Sequence, residues 1–350
     1  MHFFKKLSYH PLLIKIFHWE YWPFAVLYAP LYPYWFWLCL KARAFFYVNA
    51  ANPGIRNGGF LMESKKEIYD LLPENSYPET LFFEAGTSAI QVLEKVRSKA
   101  VSYPLIGKPD IGMRGMSVQK LENDQDLLAY ARKSKVDFLI QAYIPYENEL
   151  GIFYYRLPNE THGRITGIVG KEFLTVIGDG TSTIEELLQQ NQRFLLQLPV
   201  LRKNIPEELT LVLQKEERKL LVPYGNHARG AKFIDVTYLA DEKLNTMVDE
   251  LAKQIKGFFY GRMDVRYHTI EELRAGKNFS IIELNGSGSE PTHMYDPRHS
   301  VFFAWKEITR HWAIMYTISK QNHEAGVPYM SRQEGLAMLK ANTQLVKDIS

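Results

Sequence analysis

Apolar and polar positions alternate most cleanly between residues 261 and 285. That stretch opens Gly261-Arg262-Met263-Asp264-Val265-Arg266 and closes Ile281-Ile282-Glu283-Leu284-Asn285. A period of two with β-branched residues predicts a strand at each end. Residues 270–278 are charged and hold Gly276, which predicts a connection. Helical spacing of Leu244, Met247, Val248, Leu251 and Ile255 predicts an amphipathic core helix over 241–256. Further helices are predicted at 63–72, stopped by Pro73, and at 86–99, with Thr87 or Ser88 as the cap. Residues 192–222 read as mainly helical, and helices at 301–319 and 331–346 close the chain. Strands are predicted at 137–144, at 151–156, and as a pair around Gly170-Lys171. The turn Gly178-Asp179-Gly180 leads into a helix whose capping box is Ser182 with Glu185.

One segment breaks the alternation. Residues 21–40 hold no charged side chain, are crowded with Tyr and Trp, and contain Pro23, Pro30 and Pro33. Lys5, Lys6 and Lys15 precede them; Lys41 and Arg43 follow. Twenty such residues reach across a bilayer as a helix, but three prolines argue against one straight helix. Tyr and Trp favour the headgroup layer. The readings are a monotopic membrane hook over residues 17–45, a true span, or burial within the protein or a homodimer. The segment is a poor signal peptide, because no small-residue cleavage site follows it.

Composition narrows the classes. The chain has 350 residues, enough for several packed subdomains. A net charge of +3 gives no argument for nucleic acid. A single cysteine, Cys39, excludes an intramolecular disulfide and a cysteine-rich zinc site. It fits a reducing compartment. His299, His311 and His323 show no metal-ligand spacing.

Candidate chemistry clusters at the 261–285 stretch. If its strands pair, Asp264, Glu283 and Asn285 converge, and the last two share a face. Two carboxylates and an amide oxygen suit Mg²⁺, which completes its shell with water and substrate phosphates. Arg262 shares a face with Asp264 and can reach a phosphoryl group. The alternative is a solvated hairpin with ordinary charges. Upstream, Lys108 precedes a glycine loop with Gly112, Gly115 and Ser117, which reads as an anion nest or as a plain turn. It is not a P-loop, because its lysine comes before the glycines. The strand ending Gln141-Ala142-Tyr143-Ile144-Pro145 can lend backbone groups to a purine edge, with Glu147 or Glu149 beyond it for a ribose. The loop at 225–237 carries His227, Arg229 and Lys232 and reads as a connection or as a flap over developing phosphate charge. Gly286-Ser287-Gly288-Ser289 is a second potential nest.

Taken in order over residues 63–297, these pieces resemble the ATP-grasp ligase superfamily. The Gly107-Lys108-Pro109, Arg262-Met263-Asp264 and Glu283-Leu284-Asn285 groups are similar to those of D-alanine–D-alanine ligases. The runs at 178–187 and 226–237 are similar to cyanophycin synthetase and the ATP-grasp region of bifunctional glutathione synthetases. The resemblance implies an α+β fold in which two α+β subdomains grip ATP. Residues 1–60 would be an aromatic N-terminal segment and hinge, 61–325 the ATP-grasp domain with its nucleotide-gripping lid at 103–180, and 326–350 a C-terminal helix. It implies that Lys65 (or Lys66) and Lys108 contact ATP phosphates under the loop of Gly112, Gly115 and Ser117. Gln141, Tyr143 and Ile144 would border adenine, and Glu149 would hold the ribose. Asp264, Glu283 and Asn285 would bind two Mg²⁺ ions, with Mn²⁺ as an alternative, and Arg262 and Arg229 would stabilise an acyl-phosphate. The implied activity is ATP-dependent carboxylate–amine ligation on small-molecule or lipid-linked substrates, in the cytoplasm or at the inner face of the cell membrane. A non-catalytic, membrane-attached ATP-binding scaffold is the rival. Two departures stand out: Gln141 replaces a common carboxylate, and Glu149 sits one residue late. The usual upstream substrate domain is also replaced by the aromatic segment, so the family's substrates do not carry over.

Overall fold

A computed structural model describes residues 11–112, 116–222 and 231–349. The chain is α+β. Its strands are β1 (Thr80–Phe83), β2 (Leu105–Pro109), β3 (Gln119–Leu121), β4 (Phe138–Ala142), β5 (Asn148–Tyr155), β6 (Arg164–Glu172), β7 (Leu174–Ile177), β8 (Arg218–Val222), β9 (Lys232–Asp235), β10 (Tyr260–Tyr267) and β11 (Phe279–Asn285). They form a four-stranded sheet ordered β1-β4-β2-β3, a five-stranded sheet ordered β11-β10-β5-β6-β9, and the pair β7-β8. The chain divides into two compact units. One takes residues 33–168, 236–291 and 308–350; the other takes 1–32, 169–235 and 292–307.

In the first unit, β10 lies between β5 and β11, antiparallel to both. One face carries Met263, Val265, Ile281 and Leu284, all buried. They pack with Leu244, Val248 and Leu251 of the helix Glu242–Gln254. That helix starts where Asp241 accepts a hydrogen bond from the Leu244 N–H, satisfying one orphan donor of the first turn. A second core covers the four-stranded sheet, where Val92 and Val96 of the helix Ala89–Ser98 meet Leu105, Leu127 and Phe138. Ser88 and Gln91 form the capping box of that helix.

The apolar N-terminal segment breaks into short pieces. They include the helix Phe24–Tyr28 and, from Tyr32 to Ala42, a longer helix. In the latter, Leu38 and Cys39 are buried with Tyr47, Val48, Phe153, Tyr260 and Met315. This part of the segment is core on one face. No described helix is long and apolar enough to cross a membrane.

Several boundaries differ from the sequence pattern for identifiable reasons. The capping box after the 178–180 turn is Thr183 with Glu186, one residue later than expected. Asp179 already accepts from the Thr181 and Ser182 N–H groups and the Ser182 hydroxyl, so Ser182 is spent in the turn. Residues 192–222 are not helical throughout, because β8 pairs antiparallel with β7. The break near Gly170-Lys171 comes at Phe173, because Gly170 and Lys171 continue in register with Ile234 and Phe233. The 270–278 connection contains a short helix, Ile270–Arg274, capped by Thr269. The last two helices run longer than expected, as Val301–Glu324 and Arg332–Ile349.

Candidate functional site

The register of β10 on β11 sets the site. Arg262 lies opposite Asn285 and Asp264 opposite Glu283. Directly paired residues share a face, so all four side chains point to the side away from the core. The register then slips: Val265 faces Ile281, leaving Ile282 as a bulge. The bulge lets Ile281 and Leu284 face the core while Glu283 and Asn285 face the site.

Within the face, Arg262 grips Asp264 bidentately, Nε to Oδ1 at 2.7 Å and Nη2 to Oδ2 at 3.2 Å. Asp264 is buried at 4% exposed, and Arg262 is mostly covered at 16%. Burial pulls the guanidinium pKa down, but the Asp264 and Glu283 carboxylates outweigh it and hold the pKa above its ordinary value. Arg262 is therefore a fixed cation.

Two lysines converge from other elements. Lys108, on β2, is buried and donates to Tyr69 Oη at 2.7 Å, Gln141 Oε1 at 2.8 Å and the bulge carbonyl of Ile282 at 3.4 Å. Burial lowers its pKa from 10.5 to about 8, against the raising effect of Glu283 and Asp110. Tyr69 itself donates to the Ile282 carbonyl at 2.6 Å. The bulge thus supplies an acceptor to which both side chains are tied. Lys65 opens the helix Lys65–Leu71, whose first turn is pinned by Ser64 and by Asp110, which accepts the Lys66 N–H at 2.8 Å. Lys65 Nζ turns inward and donates to the carbonyls of Asp110 and Gly112, each at 3.2 Å. Burial lowers its pKa too, opposed by Glu283. Lys66 turns outward and pairs with Asp70. Of the two alternatives, Lys65 lies in the site. Glu63, Lys65, Tyr69, Gly112, Glu283 and Asn285 line one pocket.

The remaining candidates lie as follows. Gln141 is buried, its oxygen on Lys108 and its Nε2 donating to Thr80 Oγ1 at 2.6 Å. Tyr143 lies beneath the Lys120 and Arg266 cations. The Ile144 carbonyl accepts from Arg266 at 3.0 Å, and Glu149 is buried 3.5 Å from the same arginine. Ser117 takes a left-handed conformation, and its carbonyl accepts from Tyr130. Gly115 and Arg229 lie outside the described residues.

Sequence reasoning missed Arg266, which ties Glu149 to the Ile144 carbonyl. The signal was available: Arg266 is two residues beyond Asp264 on the same strand, and its register partner on β5 is Glu149. Tyr69 and Asp110 were also missed, and neither stands in a motif.

The face fits a divalent cation by donor chemistry. Asp264, Glu283 and Asn285 offer hard oxygen ligands, and Asn285 Nδ2 is buried without a partner, so its amide orientation is not fixed by the protein. Among the described residues no group of three or more His, Cys, Asp or Glu is placed to hold a metal. The set here is completed by an amide.

No family model matches the chain, and no curated protein matches it in sequence. Solved structures do. The chain is similar to a bifunctional glutathione synthetase from Pasteurella multocida at 15% identity, covering 75% of this chain and 38% of that one, TM-score 0.40. It is similar to a VanG D-Ala:D-Ser ligase from Enterococcus faecalis at 12% identity, covering 76% and 62%, TM-score 0.41. It is also similar to a D-alanine–D-alanine ligase from Bacillus anthracis at 12% identity, covering 78% and 71%, TM-score 0.42. The likeness is distant, and the chain spans less than two thirds of the first two proteins.

Proposed function

We propose that the chain is an ATP-grasp enzyme, an ATP-dependent carboxylate–amine ligase that activates its acid as an acyl-phosphate. The observation that carries this reading is one strand face bearing Arg262, Asp264, Glu283 and Asn285, with Lys65 in the pocket that Glu283 and Asn285 line and Lys108 tied to the neighbouring Ile282 carbonyl. A polyanion such as a triphosphate meets fixed positive charge there, with no reorganisation needed at the moment of transfer. Lys65 and Lys108 hold the phosphates, and Arg262 stays charged as negative charge builds on the phosphoryl oxygens. Asp264, Glu283 and Asn285 would hold Mg²⁺, two ions by the family resemblance, with Mn²⁺ as a substitute. The bound metal supplies charge neutralisation for the phosphates. An amine then displaces phosphate from the acyl group, so catalysis is largely positioning plus electrostatics. Gln141, Tyr143, Ile144 and Glu149 border the nucleoside in this reading, and Arg229 and the Gly112–Gly115–Ser117 loop close over the phosphates. The substrates are small or lipid-linked acids and amines, met at the inner face of a membrane.

The test is ADP and phosphate release from Mg·ATP with pools of amino acids, dipeptides and lipid extract. Release that needs one pool and vanishes in the Asp264→Asn/Glu283→Gln double variant supports the ligase. Binding of ATP with no pool-dependent release favours the scaffold. One observation leans that way: both Asp264 oxygens are occupied by Arg262. Failure of the folded protein to bind Mg·ATP overturns both.

A further inference from the structure

The helix Tyr32–Ala42 is core on one side only. While Leu38 and Cys39 are buried, Phe36 is 50% exposed, Trp37 49% and Leu40 76%. Phe45, just beyond the helix, is 51% exposed, and its ring stands 6.2 Å from that of Phe36. Four large apolar side chains within ten residues are more than scattered surface hydrophobics. Lys41 and Arg43 are exposed at the same edge, and Lys41 Nζ lies 4.4 Å from the centre of the Trp37 ring. The chain has no Asp or Glu between Glu20 and Glu63. The segment that carries these side chains is therefore both apolar and basic.

We propose that this face docks on an anionic lipid surface, with Trp37, Leu40, Phe36 and Phe45 entering the headgroup–acyl boundary and Lys41 and Arg43 meeting lipid phosphates. Charge decides between occupants. In a two-fold dimer the same patch faces itself, so Lys41 and Arg43 would meet their own copies with no carboxylate in the segment to offset them. A bilayer with anionic lipid offers the opposite sign. Indole and phenyl rings beside cations match the interfacial layer, whereas the short helix cannot span it. The buried side of the helix, held by Tyr47, Phe153 and Tyr260, makes this a rigid docking face. It deepens the membrane part of the proposed function and stands apart from its chemistry, because binding is read without nucleotide.

The test is flotation of the full chain with vesicles of phosphatidylcholine alone and of phosphatidylcholine with a minor fraction of phosphatidylglycerol. Binding to the anionic vesicles, weakening with salt, is expected. Trp37→Ser/Leu40→Ser is expected to lose about tenfold or more, from the apolar area no longer withdrawn from water. Lys41→Ala is expected to lose about fivefold, the share of one interfacial cation. All three residues are exposed, so urea midpoints should match the parent and exclude misfolding as the cause. No flotation with anionic vesicles overturns the proposal. So does equal flotation of the parent and the Trp37→Ser/Leu40→Ser variant, or a dimer in buffer that this variant abolishes while vesicles are ignored.

Discussion

Replacing Lys108 by Met separates a phosphate-binding lysine from a structural one, because the two roles predict opposite signs for stability. The ammonium is buried and 7% exposed, and its pKa falls from 10.5 to about 8. At 1.36 kcal/mol per pH unit, holding it charged at pH 7 costs the fold roughly 3 kcal/mol. Between pH 8 and 10.5 the unfolded chain binds more protons at this position than the native state does. Stability of the parent should therefore climb as pH rises through that window, with the full penalty present below pH 8 and gone above 10.5. Lys108→Met removes the penalty but leaves Gln141 Oε1 without its donor, which costs about 1–3 kcal/mol. The net expectation at pH 7 is a change from about zero to about 2 kcal/mol in favour of the variant, while ATP affinity falls at least about tenfold. Urea unfolding at intervals from pH 7 to 10, with ATP binding by calorimetry at pH 7, reads both. The variant should keep a shallower rise with pH, because Lys65 is also pushed down by burial. A variant less stable than the parent by more than about 1 kcal/mol at pH 7, or a parent whose stability stays flat from pH 8 to 10, would refute the reasoning.

Three further substitutions probe the frame. Asp264→Asn removes the carboxylate that Arg262 grips bidentately and leaves only the more distant Glu283 and Glu290 charges; a loss of about 3 kcal/mol in urea unfolding is expected, together with a fall of about a hundredfold or more in ADP formation. Asn52 is fully buried, donates to the Gly58 and Tyr260 carbonyls and accepts from the Phe259 and Tyr260 N–H groups. Asn52→Ala should cost about 3 kcal/mol and lower Tm, and an unchanged Tm would show that water replaces those bonds. Gly59 has φ +69°, and a Cβ there would stand 2.6 Å from the Gly286 Cα. Gly59→Ala should destabilise by about 2 kcal/mol or more, read as a lower Tm, because both strain and overlap fall on backbone.

The sequence made β10 and β11 legible because each alternates and each puts its functional groups on the polar phase. Their pairing, conditional in the sequence, brings Asp264, Glu283 and Asn285 onto one face, and keeping both Ile281 and Leu284 on the core side needs an extra residue between them. The bulge at Ile282 was not legible, as nothing in Ile281-Ile282-Glu283 marks an extra residue. Residues 21–40 announced themselves by lacking charge, yet an all-apolar helix has no phase from which to read its buried side. Leu38 and Cys39 are inside and Trp37 and Leu40 outside for reasons held in nearby Tyr47 and in Phe153 and Tyr260, far along the chain. Lys65 could not be separated from Lys66 by pattern. Asp110 takes the Lys66 N–H and so orients the first turn of the helix, with Lys65 toward the pocket and Lys66 toward Asp70. The shifted capping box shows a local competition, in which Asp179 claims Ser182 before the helix can.

Ile282 contributes to the site through its carbonyl, and through the place it occupies in the count of residues. Identity and number are therefore decoupled at this position. Val or Leu at 282 leaves the acceptor for Tyr69 and Lys108 where it is. Deleting the residue closes the ladder into an unbroken strand that still sends Ile281 and Leu284 to the core and Glu283 and Asn285 to the site, but it removes the carbonyl that Tyr69 and Lys108 share. Homologous chains of this architecture are thus free to vary in side chain at the bulge while being held to the extra residue whose carbonyl anchors the tyrosine and the lysine.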